Sequence, residues 1–395
     1  MFMLAILLGF GMAFAIGAND VANSMATAVG AKAITPKQAV ILSGVLEFLG
    51  AYLFGAQVTK TVAKGIVNLD MIKSPHEILV GAMAALIAST IWIIFATIWG
   101  MPVSTTHSIV GGMVGFGIAA AGWKSVIWGK LGIIALTWVI SPIIGGAISF
   151  TVFKMITKLI LHRKDPIKAS IIWSPIITAF SFFIIGMLLS LKTFKLSTED
   201  SVLMGLALSA ITYIAVYIYS IRYKTSDDSY NSVESIFRKI QILTSSYVSF
   251  SHGANDVANA VGPVALMYLI IETGTTSGVI EIPKWLLALG GFGISLGVGL
   301  LGYRVMKTVG EGITELNNTR GFSIDLATAT TVFLASFTGI PVSTTHTVIG
   351  AVTGVGMARG IELVNAKVLK NILISWIITV PFAAVVSMVV FHIMN

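Results

Sequence analysis

The heptapeptide GANDVAN occurs twice in this 395-residue chain, at 17–23 and 253–259, and both copies lie within apolar sequence. A second motif, PVSTTH, also occurs twice, at 102–107 and 341–346. The two pairs are offset by 236 and 239 residues and keep the same order along the chain. Matches in one order at nearly constant offset indicate that the second half of the chain duplicates the first.

The apolar sequence around these motifs continues through the whole chain. Hydrophobic residues make up 56% of the sequence, charged residues 11%, and the mean hydropathy is +0.92, whereas a soluble domain carries roughly 25% charged residues. Apolar runs of about 20 residues can cross the roughly 30 Å of a bilayer as helices. A barrel would show alternating segments of about 10 residues instead. The composition therefore predicts an all-α polytopic protein of the lipid bilayer.

The remaining composition excludes several classes of function. The formal net charge is +8, but the basic residues lie in short loops between apolar segments, which is a topology signal and not the signature of nucleic-acid binding. The absence of cysteine excludes disulfides, thiolate metal sites and cysteine nucleophiles. We find no nucleotide-binding loop and no catalytic triad, so the sequence predicts neither an enzyme nor an ATP-driven pump, and no organic cofactor.

We predict about twelve transmembrane segments in two inverted-topology repeats, with broken or re-entrant helices at the centre. The segments are 2–29, 37–59, 77–100, 102–122, 126–153, 171–191, 201–221, 240–270, 285–303, 324–339, 341–358 and 371–393. Seven segments separate the starts of the two copies, and because seven is odd the copies cross the membrane in opposite senses. Inverted repeats are typical of secondary transporters with sites near the midplane. The predicted organisation is a first repeat at 1–160, linker helices with a central cytoplasmic loop at 161–236, and a second repeat at 237–395.

The basic residues also predict the orientation. With the N-terminus outside, 17 of the 25 lysines and arginines face the inside, among them Lys224, Arg304 and Lys307. The other 8, including Lys124, Lys195 and Lys284, face the outside. The positive-inside rule thus predicts both termini outside. No basic n-region or small-residue cleavage site precedes the first apolar segment, which therefore has the pattern of a transmembrane helix and not of a signal peptide.

The GANDVAN motifs place carboxylates within apolar segments, where a charged group is costly in free energy. An ionisable group within a membrane span costs at least about 2.5–3.5 kcal/mol, so each aspartate needs a partner or a wet cavity. Carboxylate, amide and freed backbone oxygens are hard ligands that suit a hard cation, and an unwound segment could present them together. The predicted cation ligands are Asn19, Asp20, Asn23, Asn255, Asp256 and Asn259. The alternative is that these side chains cap broken helices or bond neighbouring helices.

The PVSTTH motifs predict an anion site. Proline suits the start of a helix, Ser and Thr suit N-caps, and a helix N-terminus attracts an anion through its free N–H groups and dipole. The hydroxyls that could wrap a tetrahedral oxyanion are Ser104, Thr105, Thr106, Ser343, Thr344 and Thr345. The alternative is a capped turn at each membrane surface. For both motifs to hold one ligand, each must enter the membrane as a re-entrant tip or broken helix, with Asp20 and Asp256 close to the same anion.

Two further acids are weaker candidates for an ion site. Glu47 has Ile294 as its counterpart in the repeat, so it breaks the symmetry. It could serve an additional ion site or be paired inside the bundle. Asp325 is predicted at the start of a helix, where an acid is favourable, and structural and ion-binding roles remain open.

Three histidines complete the set of candidates. His107 and His346 follow the threonine pairs and could orient the turn or sense protons, although a structural role is the simpler interpretation. His252 precedes the second GANDVAN where Ile16 precedes the first, which makes it a weak candidate.

With its paired GANDVAN and PVSTTH motifs, the whole chain resembles the inorganic phosphate transporter (PiT) family. The resemblance implies secondary transport of inorganic phosphate, coupled to sodium in many members and to protons in others, by an inverted-repeat fold. It places the asparagines and aspartates of the two heptapeptides in the ion sites, with Glu47 as a further acid, and the hydroxyls of the STTH segments at the phosphate. A homodimer in the cell membrane is a further expectation from the family. The short central loop prevents any transfer of the regulatory role that this loop has in larger members.

Alternative functions remain open at this point. A sulfate permease of the same fold is the nearest, but monohydrogen phosphate carries a proton and rewards an acceptor such as Asp20 or Asp256, whereas sulfate needs donors only. Arsenate would not be distinguished by such a site. An anion channel would not need membrane-embedded aspartates, and a membrane enzyme or receptor lacks support in the sequence. Sodium is the favoured coupling ion because Asn-Asp-x-x-Asn offers a fuller set of oxygen ligands than a proton relay requires.

Overall fold

The chain forms a bundle of α-helices in a computed structural model that describes residues 1–192, 194–222, 229–274, 281–303, 315–360 and 365–395. Thirteen α-helices occur in these residues: α1 (Phe2–Gly30), α2 (Pro36–Phe54), α3 (Ala56–Lys64), α4 (Pro75–Ile98), α5 (Thr105–Ala121), α6 (Trp128–Ile156), α7 (Pro166–Lys192), α8 (Thr198–Arg222), α9 (Ser229–Thr273), α10 (Lys284–Leu301), α11 (Asn318–Thr338), α12 (Thr344–Arg359) and α13 (Ala366–Met394). The all-α prediction is confirmed.

Eleven of the twelve predicted apolar segments coincide with one helix each, and the segment 37–59 covers both α2 and α3, which are interrupted at Gly55. Ten helices in the described part of the chain are long and apolar enough to cross a membrane. The two that follow the PVST segments are shorter, since α5 has 17 residues and α12 has 16. The number of crossings and the opposite sense of the two halves stay predictions.

The short helices begin inside the protein. Residues 101–104 and 340–343 form irregular backbone, and the N-cap residues Ser104 and Ser343 are each 1% exposed. Irregular backbone at membrane depth is tolerated where it is buried in protein or lines a cavity. The breaks predicted at the centre of the bundle are therefore present at these two tips.

Helix contacts are reciprocal between the two halves of the chain. α1 packs on α10 and α2 packs on α9, while α5 packs on α13 and α6 on α12. Each of these four first-half helices thus lies against a second-half helix. Where two helices from different halves are in contact, their repeat counterparts are in contact as well. This is the pattern that the sequence duplication leads us to expect.

Glycine allows the closest of these contacts. A Cβ atom on Gly17 would lie 1.9 Å from the carbonyl oxygen of Ile294, and one on Gly253 would lie 2.1 Å from the carbonyl oxygen of Glu47. No side chain fits at either position, so the helices meet backbone to backbone. The glycines of GANDVAN serve close approach and not unwinding.

Three local predictions were wrong. Both GANDVAN segments are continuous α-helix rather than unwound, because helical spacing itself brings their polar side chains together. Asp325 does not start a helix, since α11 begins at Asn318 and Asp325 lies two turns inside it. Residues 229–239, which lie between the predicted segments 201–221 and 240–270 and were expected to be non-helical, extend α9, and this stretch buries apolar side chains such as Phe237. Of the residues used for the orientation, Lys224, Arg304 and Lys307 lie outside the described residues.

Candidate functional site

Asp20 lies in α1 and faces the tip of α5. Its Oδ1 accepts a hydrogen bond from Asn23 Nδ2 at 2.9 Å, one helical turn away, and its Oδ2 accepts one from Thr105 Oγ1 at 2.8 Å. The side chain is 1% exposed. The carboxylate is thus enclosed, and its two oxygens have different neighbours.

Asp256 occupies the equivalent position in α9 and collects donors from both halves of the chain. Its Oδ1 accepts from Asn255 Nδ2 at 2.9 Å, Asn259 Nδ2 at 3.0 Å and Thr106 Oγ1 at 3.4 Å. Its Oδ2 accepts from the hydroxyl of Thr344 at the tip of α12. The N-termini of α5 and α12 therefore converge on one buried carboxylate.

The two tips are also bonded directly to each other. Thr106 Oγ1 donates to the carbonyl of Val342 at 3.1 Å, and Thr345 Oγ1 donates to the carbonyl of Val103, also at 3.1 Å. Asn23 Nδ2 adds a bond to Thr345 Oγ1 at 2.9 Å. The structure thus brings the two PVSTTH motifs together in the protein interior, not on opposite membrane faces.

Asn19 and Asn255 hold the irregular segments that precede the tips. Asn19 Oδ1 accepts from the N–H of Val103 at 3.2 Å, and its Nδ2 donates to the carbonyl of Met101 at 3.1 Å. Asn255 Nδ2 donates to the carbonyl of Val342 at 2.9 Å, and its Oδ1 lies 3.5 Å from the N–H of the same residue. Because their amide groups already bond backbone, this geometry favours a positioning role for both asparagines.

Asn23 and Asn259 differ from that pair. Each donates through Nδ2 to the aspartate three residues before it, yet Oδ1 of each has no hydrogen-bond partner in the described residues. Asn23 is 3% exposed and Asn259 is 0% exposed. A buried amide oxygen without a donor is costly, so a bound cation at either of these oxygens would be favourable.

Ser104 and Ser343 cap the two short helices. Ser104 Oγ accepts from the N–H of His107 at 3.2 Å, and Ser343 Oγ accepts from the N–H of His346 at the same distance. Each capping bond uses a lone pair of the serine oxygen and not its O–H proton. Both serines therefore stay among the hydroxyls that can donate to an anion, together with the four threonines.

His252 lies at the centre of the acidic groups, which sequence reasoning underestimated. Its Nε2 is 2.8 Å from Asp256 Oδ2 and 3.6 Å from Asp20 Oδ2, and its Nδ1 is 3.2 Å from Glu47 Oε2. All four side chains are at most 1% exposed. The sequence held one signal for this position, because a histidine four residues before an aspartate shares its helix face.

Glu47 is fixed on its other side by serines. Its Oε1 accepts from Ser43 Oγ at 2.7 Å and from Ser24 Oγ at 3.1 Å. Three carboxylates, those of Asp20, Glu47 and Asp256, thus surround one imidazole. Buried carboxylates need compensating charge, and a single imidazolium cannot balance three of them.

Asp325 belongs to a separate polar group. Its Oδ1 accepts from Thr27 Oγ1 at 2.5 Å and its Oδ2 from the hydroxyl of Ser245. Thr27 lies two helical turns beyond Asp20 along α1. Asp325 therefore joins α1, α9 and α11 beside the main cluster.

His107 and His346 point away from the carboxylates. Their rings are 4.4 Å apart between centroids, and each lies against a tryptophan: His107 is tilted against Trp138 at 3.7 Å, and His346 stacks on Trp376 at 3.4 Å. His346 Nδ1 also lies 3.0 Å from the carbonyl of Trp138. This aromatic stack supports the tips from behind, as the structural interpretation predicts.

Comparison with known proteins places this arrangement in a family. The model of the phosphate transporter family matches residues 16–387. A protein of Thermococcus kodakarensis assigned as a phosphate permease is 52% identical over 99% of this chain and 97% of its own length. The chloroplastic inorganic phosphate transporter 2-1 of Arabidopsis thaliana is 39% identical over 97% of this chain and 70% of its own length.

A solved structure agrees with the same assignment. The sodium-dependent phosphate transporter superposes with a TM-score of 0.96, at 52% identity, over 100% of this chain and 98% of that chain. The duplicated motifs, the buried carboxylates and these matches lead to one conclusion: the chain belongs to the phosphate transporter family.

Proposed function

We propose that this protein imports inorganic phosphate by symport with sodium, with alternating access around the buried site between the two halves. The observation that carries the proposal is the convergence of two helix N-termini and two aspartates in one enclosed place, seen in the bonds of Thr106 and Thr344 to Asp256. Anion-binding and cation-binding elements within hydrogen-bond distance are what a symporter of an anion with a cation requires.

The phosphate side consists of the tips of α5 and α12. The first N–H groups of a helix have no carbonyl partner in the helix, and with the dipole they favour an anion. Thr105, Thr106, Thr344 and Thr345 add hydroxyl donors at most 3% exposed. Ser104 and Ser343, whose capping bonds use a lone pair and not the O–H proton, complete the predicted set of hydroxyl donors.

The sodium side consists of the aspartates with Asn23 and Asn259. Each asparagine brings an amide oxygen, unpaired among the described residues, to the turn that carries an aspartate, and such oxygens are ligands of hard cations. Glu47 provides a third carboxylate for an additional ion. Asn19 and Asn255, which were also predicted as ligands, act in this proposal by holding the tips in place.

The hydroxyl bonds suggest how the two solutes are coupled. Thr105 donates to Asp20 and Thr344 donates to Asp256. A sodium ion on either carboxylate competes with that hydroxyl for the same oxygen, so the hydroxyl becomes available to phosphate. Cation binding would then prepare the anion site, and each cation would reduce the cost of enclosing the anion.

Proton coupling is the alternative that a specific observation favours. His252 bridges Asp20, Glu47 and Asp256, and an imidazole among carboxylates can carry a proton. A proton alone would leave the amide oxygens of Asn23 and Asn259 without a partner, which is why we prefer sodium.

Sulfate is less favoured than monohydrogen phosphate because the aspartates accept the proton that phosphate carries. The cell membrane as location, both termini outside and a homodimer stay predictions.

Uptake of radiolabelled phosphate into proteoliposomes tests the proposal. We expect an inward sodium gradient to drive uptake that an equal potassium gradient at the same pH does not, with arsenate competing and excess sulfate not competing. Uptake that ignores sodium and follows an imposed pH gradient would establish the proton alternative. A protein without phosphate uptake under either gradient would refute the proposal.

A further inference from the structure

A cavity of about 410 Å³ lies beside the proposed site, between the α2–α3 junction, the α7–α8 connection, the start of α10 and the end of α11. Among the residues that line it are Tyr52, Gln57, Lys195, Lys284, Phe333 and Ser336. No acidic residue belongs to this lining within the described part of the chain. The cavity is therefore concave and positively charged.

The two lysines are held at its rim. Lys195 has a left-handed backbone conformation with φ +52°, and the N–H of the following Leu196 donates to the carbonyl of Ser190 at 3.2 Å. Lys284 Nζ lies 6.0 Å from the centre of the Tyr52 ring. Neither lysine takes part in the ion pairs found in the described residues. Both ammonium groups thus keep their charge available to a passing anion.

The floor of the cavity reaches the buried site. Ser336 lines the cavity, and its Oγ, which donates to the carbonyl of Val332 at 2.9 Å, lies 3.4 Å from Asn255 Oδ1. Asn255 in turn bonds Asp256. One hydroxyl and one amide group therefore connect the positively charged cavity with the proposed phosphate site.

We propose that this cavity is the vestibule through which phosphate approaches the site, and that Lys195 and Lys284 concentrate the anion there without contacting it at its final position. This inference rests on the proposed function. The positive-inside rule places both lysines on the outside of the membrane, the side from which an importer takes its substrate. Charges of one sign in a cleft focus the field and raise the local concentration of an oppositely charged solute.

The natural absence of cysteine permits a sharp test. We would prepare Lys195→Cys, Lys284→Cys and the double variant, with Lys124→Cys as the matched control, because Lys124 is an exposed lysine predicted on the same side but not part of the lining. Each introduced thiol is the sole one in its single variant. It can be converted by a cationic or an anionic methanethiosulfonate reagent into a mixed disulfide of chosen charge, with release of methanesulfinate.

We expect the double variant to raise the KM for phosphate by about three- to tenfold at low ionic strength, with the maximal rate and the half-saturating sodium concentration unchanged. The cationic reagent should restore the KM and the anionic reagent should raise it further. At constant sodium, choline chloride at about 1 M, where the Debye length is about 3 Å, should remove the differences. Lys124→Cys should behave like the parent protein throughout.

Two results would overturn the inference: an unchanged KM in the double variant, or equal effects of the two reagents, which would indicate a steric and not an electrostatic role. Failure of the proposed function is distinguishable, because then the parent protein itself would show no sodium-driven phosphate uptake. If the parent protein shows normal uptake and the variants show a normal KM, the vestibule proposal alone would be refuted.

Discussion

The α1–α10 and α2–α9 interfaces are equivalent in the duplicated sequence but differ in chemistry. Ile16 directly precedes the GANDVAN segment of α1, and Ile294 in α10 is the repeat counterpart of Glu47. Both isoleucines are 0% exposed. At the α2–α9 interface the same positions hold His252 and Glu47, with Nδ1 and Oε2 3.2 Å apart. The two residues that break the symmetry of the sequence are thus in contact with each other.

This difference shows what duplication keeps and what it alters. The aspartates, asparagines and threonines recur in both halves, so the chain has two acidic centres of similar construction. The additional acid and imidazole lie on one side, and His252 is closer to Asp256 at 2.8 Å than to Asp20 at 3.6 Å. The two centres therefore differ in charge, and we expect them to differ in their affinity for cations.

The largest expected effect comes from neutralising the acidic centres themselves. Asp20→Asn and Asp256→Asn should each abolish sodium-driven phosphate uptake while the protein stays folded, because an amide keeps the shape of the side chain but not its charge. Proteoliposome uptake and size-exclusion profiles would check both statements. Near-normal sodium-dependent uptake in either variant would show that this aspartate is not at the site.

The asymmetric pair predicts a pronounced difference between single and double substitutions. Glu47→Ile removes the acceptor of Ser24 and Ser43 but leaves His252 between Asp20 and Asp256. Glu47→Ile combined with His252→Ile copies the α1–α10 interface but also takes the imidazole away from both aspartates, and breaking a buried pair in this way costs about 3–5 kcal/mol. Thermal unfolding in detergent should therefore show a lower Tm for the double variant than for the single one. Equal Tm values would mean that His252 does not compensate the charge of the aspartates.

The glycine contacts predict effects of similar size in the two halves. Gly17→Ala and Gly253→Ala each place a methyl group within 1.9 or 2.1 Å of a carbonyl oxygen, and overpacking of this kind costs about 1–3 kcal/mol. Both variants should unfold at lower temperature. Gly11→Ala is the control, since nothing lies within 4 Å of its added Cβ, and this change should leave Tm unchanged or raise it. Unequal losses would show that one interface can relax.

The unpaired amide oxygens predict the smallest effect. Asn23→Ala and Asn259→Ala should each raise the half-saturating sodium concentration by about tenfold, which corresponds to about 1.4 kcal/mol. Asn259 also bonds both threonines of the α5 tip, at 3.3 and 3.2 Å. Asn23 likewise bonds Thr345 of the α12 tip at 2.9 Å, so both variants should raise the KM for phosphate as well. Sodium titrations of uptake at fixed phosphate would measure the first effect, and phosphate titrations the second. An unchanged sodium dependence in both variants would show that these oxygens do not bind the cation.

Much of the architecture followed from local sequence patterns. Apolar runs of membrane-spanning length predicted the helices, because a backbone in lipid must satisfy its own hydrogen bonds. The proline and hydroxyl residues before α5 and α12 predicted helix starts, because a helix end needs a cap. The expectation that GANDVAN unwinds was wrong, since glycine is equally suited to close helix packing, and the sequence does not distinguish these two uses.

The sequence by itself determined which chemical groups this protein carries and that they come in two copies: aspartates within apolar helices, hydroxyls before short helices, and no thiol anywhere. Only the tertiary structure decided which of them meet. Asn19 and Asn255 have the same residue type as Asn23 and Asn259, yet the first pair bonds backbone, whereas the amide oxygens of the second pair have no hydrogen-bond partner in the part of the chain that the structure describes. Glu47 and His252 are far apart in the chain and form contacts only because α2 lies on α9. Residue type and spacing fix what a side chain can bond, whereas the partner that it does bond depends on helix packing between distant parts of the chain.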